Sequence, residues 1–195
     1  LDVEGVKSIL KENPGWANIL SDIGERPLFQ VCNFPVAERR FNSDRQLQIV
    51  DLLIENGAKI DERSDLHIFC NPLRIAVDLN NPRLVRHLLD LGADPNPYNI
   101  NILATALDNS SYDIAVLLIL YGADTTRVKF GGIIRKETLP DDLQVLIAKV
   151  EPYYENKLLK LFGDDDDDEV EATTLETKLE QIDLDPGLSP LERAT

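Results

Sequence analysis

Three stretches of the sequence close in the same way: IVDLLIENGAKID from Ile49 to Asp61, LVRHLLDLGADPN from Leu84 to Asn96, and IAVLLILYGADTT from Ile114 to Thr126. Each reads as an amphipathic helix that stops at a glycine. Apolar residues recur in a common register: Val50, Leu53 and Ile54; Val85, Leu88 and Leu89; Ala115, Leu118 and Ile119. Positions three and four apart share one helical face. Upstream lie RPLFQVC from Arg26, NPLRIAV from Asn71 and NILATAL from Asn101. Leu73 precedes Gly92 by 19 residues, and Leu103 precedes Gly122 by 19. Leu28 precedes Gly57 by 29, the same interval with ten residues inserted. Val6, Ile9 and Leu10 fit the frame once more, with Asn13 in the glycine position. One helix pair cannot bury its apolar face alone, so a chain of such pairs must stack them around a continuous core.

These residues resemble the ankyrin repeat. Its pattern is Thr-Pro-Leu-His followed by alanines, then a Val-x-x-Leu-Leu helix, then Gly-Ala-Asp. The resemblance covers about residues 2 to 126, with half a repeat at the start and three fuller ones. It implies an all-α ankyrin-repeat solenoid of about three full repeats, a partial N-terminal repeat and a helical C-terminal cap. Each repeat residue has a physical reason. Gly57, Gly92 and Gly122 stop their helices, because a left-handed C-terminal residue favours glycine. Pro27 and Pro72 suit a first helical turn, where the missing N–H is not required. Ala76 and Ala106 sit where the first helix must pack closely.

The chain departs from the pattern in places. Arg26, Asn71 and Asn101 replace the threonine, and Phe29, Arg74 and Ala104 replace the histidine. The Thr–His hydrogen bonding of the family is therefore lost, and the repeats are expected to be less stable than typical ones. The finger from Gly57 to Leu73 is longer than the family's usual length, and that from Gly92 to Leu103 is shorter. The segment DPNPYNI is expected to lack a regular β-turn. The insertion in the first full repeat covers roughly Pro35 to Asp44, where Pro35 ends one helix and Ser43 or Asp44 caps the next.

After Thr126 the pattern dissolves. FGGII reads as a turn with a short extended piece, and ETLPDDLQVLIAKV as a helix. Thr138 is the expected N-cap, Asp141 and Asp142 fall in the first turn, and Leu143, Leu146, Ile147 and Val150 form the apolar face. Pro152 interrupts it and YYENKLLKLF resumes. The expected organisation is ankyrin repeats over 1–126, a divergent helical cap over 127–162 and an acidic linker and tail over 163–195. A short amphipathic helix with Leu175, Leu179 and Ile182 on one side is expected in the tail.

Charge narrows the partners. The 195 residues carry a formal charge of −15. Residues 163–195 hold twelve Asp/Glu and two Lys/Arg, a charge of −10, which leaves −5 for the preceding 162. Neither part has the basic footprint that nucleic acid or an anionic membrane surface requires. No apolar run approaches the roughly 20 residues that span a bilayer, and no signal peptide is visible. The chain has no initiator Met and opens as if in mid-helix, so a fragment is expected and a lost leader stays open. Two cysteines, Cys32 and Cys70, make no disulfide scaffold. Reduced thiols point to the cytoplasm, with the nucleus or a secreted effector left open.

Little in the sequence points to catalysis. His67 and Cys70 have a spacing that zinc could use, but Cys32 and His87 would have to complete the site. The repeat frame puts Cys32 on a first helix and His87 on a second. Cys32 also falls at a core alanine position, where inert thiols are usual. No phosphate loop, dinucleotide glycine motif or H-E-x-x-H is present. The run Asp164 to Asp168 lacks the spaced ligands of a calcium loop and reads as a solvated spacer. No catalytic, cofactor-binding or metal-ligating residue is expected, no small-molecule substrate is evident, and the chain reads as non-enzymatic.

The resemblance implies binding instead. Ankyrin arrays bind proteins along a concave face, through the fingers and the ends of the first helices. Five and six residues past each repeat leucine stand Asn33 and Phe34, Asp78 and Leu79, and Asp108 and Asn109; Glu25 joins them. This acidic and polar set favours a partner of basic character. It is read equally well, site by site, as exposed helix ends. Arg39, Arg40 and Phe41 in the insertion are a second candidate surface, because Arg and aromatics are enriched in interface hot spots. Phe41 folding back on the helices is the equal alternative. The expected function is an adaptor or scaffold module. The alternative is a non-catalytic targeting domain of a larger enzyme or effector.

Overall fold

A computed structural model describes residues 1–22, 24–34, 43–63, 70–97, 100–128 and 138–148. Seven helices carry the repeats: α1 (Val3–Glu12), α2 (Pro27–Cys32), α3 (Ser43–Glu55), α4 (Pro72–Asp78), α5 (Pro82–Asp90), α6 (Ile102–Asp108) and α7 (Tyr112–Leu120). An eighth, α8, spans residues 141–148. No strand occurs among the described residues.

Helices pair within each repeat, α2 with α3, α4 with α5, and α6 with α7. First helices stack on one another in the order α2, α4, α6. Second helices form the other layer, α1 against α3, α3 against α5, and α5 against α7. The core runs through all of them. Leu53, Leu88 and Leu118 share one register position, and all three are buried. Ala76 and Ala106 are fully buried too, which lets neighbouring first helices approach closely.

Helix ends follow the expected chemistry. Gly57, Gly92 and Gly122 take φ of 88°, 91° and 90°. Each glycine N–H donates three residues back and the following alanine N–H five back, the two bonds of a Schellman cap. The same bonds end α4 and α6, where Asn80 and Ser110 take φ of 49° and 55°. That tight left-handed turn joins first helix to second without glycine, a feature the glycine pattern did not reveal.

The replaced threonines find another use. Asn71 Oδ1 accepts from Arg74 N (2.8 Å) and Asn101 Oδ1 from Ala104 N (3.0 Å), so both act as N-caps. Asparagine caps are worth about 1 kcal/mol, which offsets part of the expected loss. Asn81 caps α5 in the same manner. Arg26 makes no side-chain cap for α2. Pro27, Pro72 and Pro82 all occupy the first turn.

The fingers are held by side chains. Asn18 Nδ2 donates to the Gly57 carbonyl (2.7 Å), and Asn96 Nδ2 donates to the Gly122 carbonyl (2.7 Å). Arg127 clamps the short third finger, donating to the carbonyls of Asn96 (2.8 Å), Pro97 (3.0 Å) and Ile100 (3.2 Å). Arg26 does the same for the first finger through the Asn18 carbonyl (3.0 Å). A guanidinium thus supplies rigidity where a regular turn is lacking.

Toward the C-terminus the array is covered. In α7 six successive residues, Ile114 to Ile119, are buried. Leu139, Leu143 and Ile147 join the same core, with Leu146 packed against it. Helix α8 opens at residue 141, where Gln144 N donates to the Pro140 carbonyl (3.0 Å). Thr138 stands ahead of the helix and is not its N-cap. Val150, the remainder of the expected cap and the tail over 163–195 lie outside the described residues.

Candidate functional site

The ends of the first helices bring three expected residues into one row. Asn33 is the C-cap of α2, Asp78 is the last residue of α4, and Asp108 is the last residue of α6. All three are exposed. Because α2, α4 and α6 stack, these equivalent ends adjoin one another. Asn109, the C-cap of α6, is exposed beside Asp108. Carbonyl dipoles at a helix C-terminus carry partial negative charge. Asp78 and Asp108 add carboxylates to two such ends, so the row attracts cations on two counts.

Asp78 is partly engaged, since Arg74 Nε donates to both of its oxygens (3.1 Å each) within α4. An exposed pair one helical turn apart contributes only ~0.3–0.5 kcal/mol, so it is readily exchanged for another cation. Leu79 packs against the core and offers little surface. Phe34 is half-buried. Glu25 precedes α2, at the opposite end of that helix from Asn33. Arg39, Arg40 and Phe41 lie outside the described residues.

The second-helix face is different. Arg83 of α5 donates to Ser43 Oγ (2.6 Å) and pairs with Asp44 of α3. Ser43 or Asp44 was expected to cap α3; both instead lie within it as its first two residues, and they form this tie. His87 Nε2 lies 2.7 Å from Asp51 Oδ1. Tyr121 O–H donates to Asp90. Burial and that hydrogen bond push the Tyr121 phenol up. Each contact joins one repeat to the next.

The cysteines and histidine are likewise placed. Cys32 is buried in α2, and burial pushes its thiol up to about 12, so almost no thiolate forms near neutrality. Cys70 is half-buried, and desolvation raises its thiol as well. His87 is held by Asp51 within the second-helix layer, and His67 lies outside the described residues. A shallow cleft between the first two fingers is lined by Asn18, Arg26, Phe29, Lys59, Glu62 and Arg63. Within it Arg26 Nη2 meets Glu62 at 3.0 Å. No helix among the described residues is long and apolar enough to cross a membrane.

Residues 39–129 match the family model for ankyrin repeats, in three copies. This span carries an ankyrin-repeat array. Ankyrin repeats are generally protein–protein interaction modules, and their domains are typically non-catalytic. No match was found among curated proteins. The matched span runs from the insertion to just past the turn at Gly122, and α1 and α2 join the same core through Leu10 and Leu28, both buried.

Several residues that hold the ankyrin array together were not evident from the repeat pattern. Gln46 is fully buried; its Nε2 donates to the Val31 carbonyl (2.8 Å), and its Oε1 accepts from Asn81 Nδ2 (3.3 Å). Arg26 and Arg127 act on finger carbonyls. The available signal was positional: Asp61 and Asn96 both stand four residues past the helix-ending glycine.

Proposed function

We propose that this ankyrin array is an adaptor surface for a protein partner of basic character. Asn33, Asp78, Asp108 and Asn109 form its centre, and Arg39, Arg40 and Phe41 of the insertion are a second candidate surface. The supporting observation is the contrast between the layers. Arg83, His87 and Asp90 on the second helices are engaged across repeats, whereas the side chains of the row at the first-helix ends make no hydrogen bond or ion pair with a neighbouring helix among the described residues. Lys or Arg side chains entering that row meet both carboxylates and helix C-terminal carbonyls.

The test is a comparison of immobilised full-length variants in a lysate. Asp78→Lys with Asp108→Lys should abolish capture of proteins retained by the unmodified chain, or weaken it roughly tenfold or more, with unchanged circular dichroism. Arg86→Glu on the second-helix face should retain them. Equal capture by the double variant and the unmodified chain would exclude the row.

A further inference from the structure

Two of the three finger junctions are closed by an asparagine that donates to the next repeat's glycine carbonyl, Asn18 to Gly57 and Asn96 to Gly122. Asn96 also accepts, through Oδ1, from Asp124 N (2.7 Å). At the middle junction the equivalent residue is Asp61. Its Oδ1 accepts from Asp94 N (3.0 Å), reproducing the accepting half of the asparagine contact. The donating half is lacking, and among the described residues no donor reaches the Gly92 carbonyl.

We infer that Asp61 makes the junction between the second and third fingers a proton-operated rung, open when the carboxylate is charged and closed when it is protonated. By correspondence with Asn96, whose Oδ1 accepts from Asp124 N while its Nδ2 donates to the Gly122 carbonyl, the second carboxylate oxygen of Asp61 holds the position of that amide nitrogen. Charged, it offers only an acceptor where the asparagines offer an N–H. A proton on that oxygen converts it into an O–H donor and completes the ladder. The charged groups around it are Asp94 on the third finger, Lys59, Glu62 and Arg63 on its own, and Arg26 from α2. Glu62 is bound by Arg26 (3.0 Å) and lies 3.9 Å from Lys59, so these two cations are drawn toward Glu62.

Desolvation raises the Asp61 pKa above its ordinary 3.8; the Asp94 amide bond opposes this, and the Asp94 charge adds to it. A raised folded-state pKa means the folded chain holds the proton more tightly than the unfolded chain. The resulting stabilisation is fully present below the unfolded value and is lost as pH rises through the folded one.

Carboxyl-carbon NMR titration of the full chain, with urea unfolding across pH, tests the rung. Asp61 should titrate above the ordinary aspartate value. Asp61→Asn should raise the folded-to-unfolded ratio roughly two- to tenfold at pH 7, and that advantage should vanish below about pH 4. Asn96→Asp should lower the ratio at pH 7 and regain part of it in acid. An Asp61 midpoint at or below the ordinary value overturns the inference, as does an Asp61→Asn variant no more stable than the unmodified chain at pH 7. If Asn96→Asp does not fold, the titration and Asp61→Asn still decide. Partner binding does not enter these readouts.

Discussion

On the second-helix face, Arg83 reaches from α5 to Ser43 and Asp44 of α3, His87 reaches Asp51, and Tyr121 reaches from the end of α7 to Asp90. On the first-helix face, the side chains of Asn33, Asp78 and Asp108 make one polar contact among the described residues, Arg74 to Asp78, which stays within α4. Both faces stand over the same core and descend from the same repeat. Their difference lies in what the charges do. Polar groups on one face join neighbouring repeats, so altering them alters the fold. Those on the other contribute little to the fold, so altering them should change recognition alone. Stability measurements can therefore separate the faces before any partner is in hand.

The largest effect should come from the core that both faces share. Leu88 is fully buried at a register position whose counterpart in α1, Ile9, is 47% exposed. Leu88→Ala should cost about 2–5 kcal/mol in chemical unfolding. Ile9→Ala should cost well under half as much, because α1 has no first helix of its own beside it among the described residues. Equal costs would mean that the register, and not the neighbours, sets burial.

Next in size is Gln46, which couples the two layers. Replacing it with leucine removes one donor to the Val31 carbonyl, which keeps Phe34 N (3.4 Å), and leaves the buried Asn81 Nδ2 without its acceptor. An unsatisfied buried polar group costs about 1–3 kcal/mol, so Gln46→Leu should destabilise the chain by that order despite its greater hydrophobicity. A neutral or stabilising result would show that the network adds nothing beyond packing.

Gln46 also illustrates what a sequence withholds. Leu53, Leu88, Leu118 and the three glycines were legible because helical period and left-handed caps are local properties, repeated at a fixed interval. A glutamine near the start of an amphipathic helix reads as surface, and its burial follows only once Val31 and Asn81 are brought to it from other elements. Arg127 is similar: its three carbonyl partners lie 27 to 31 positions away. In the candidate site, Asn33, Asp78 and Asp108 could be placed by counting from the repeat leucine, since helix length is regular. Leu79 could not be judged that way: Asn109 at the equivalent position is exposed, whereas the apolar Leu79 packs against the core. Asn71 and Asn101 read as lost threonines, yet cap their helices, because the N-cap position accepts several short polar side chains.

The smallest effect separates the faces most directly. Asp108 and Asp90 are both last residues of helices, α6 and α5, and both place a carboxylate at the negative end of a helix dipole. The Asp108 side chain makes no hydrogen bond or ion pair with another described residue, whereas Asp90 accepts from Tyr121. Lysine at either position reverses the unfavourable interaction with the dipole, a gain of about 0.3–1 kcal/mol for an exposed site at low ionic strength. Asp108→Lys should show that gain in urea unfolding and lose most of it in high salt, where the dipole is screened. Asp90→Lys should show no net gain, since it removes the acceptor that ties α7 to α5. If both variants gain alike, the Tyr121 contact contributes nothing to holding the repeats together. If Asp108→Lys destabilises the chain, its carboxylate belongs to the fold and the first-helix row is not free for a partner.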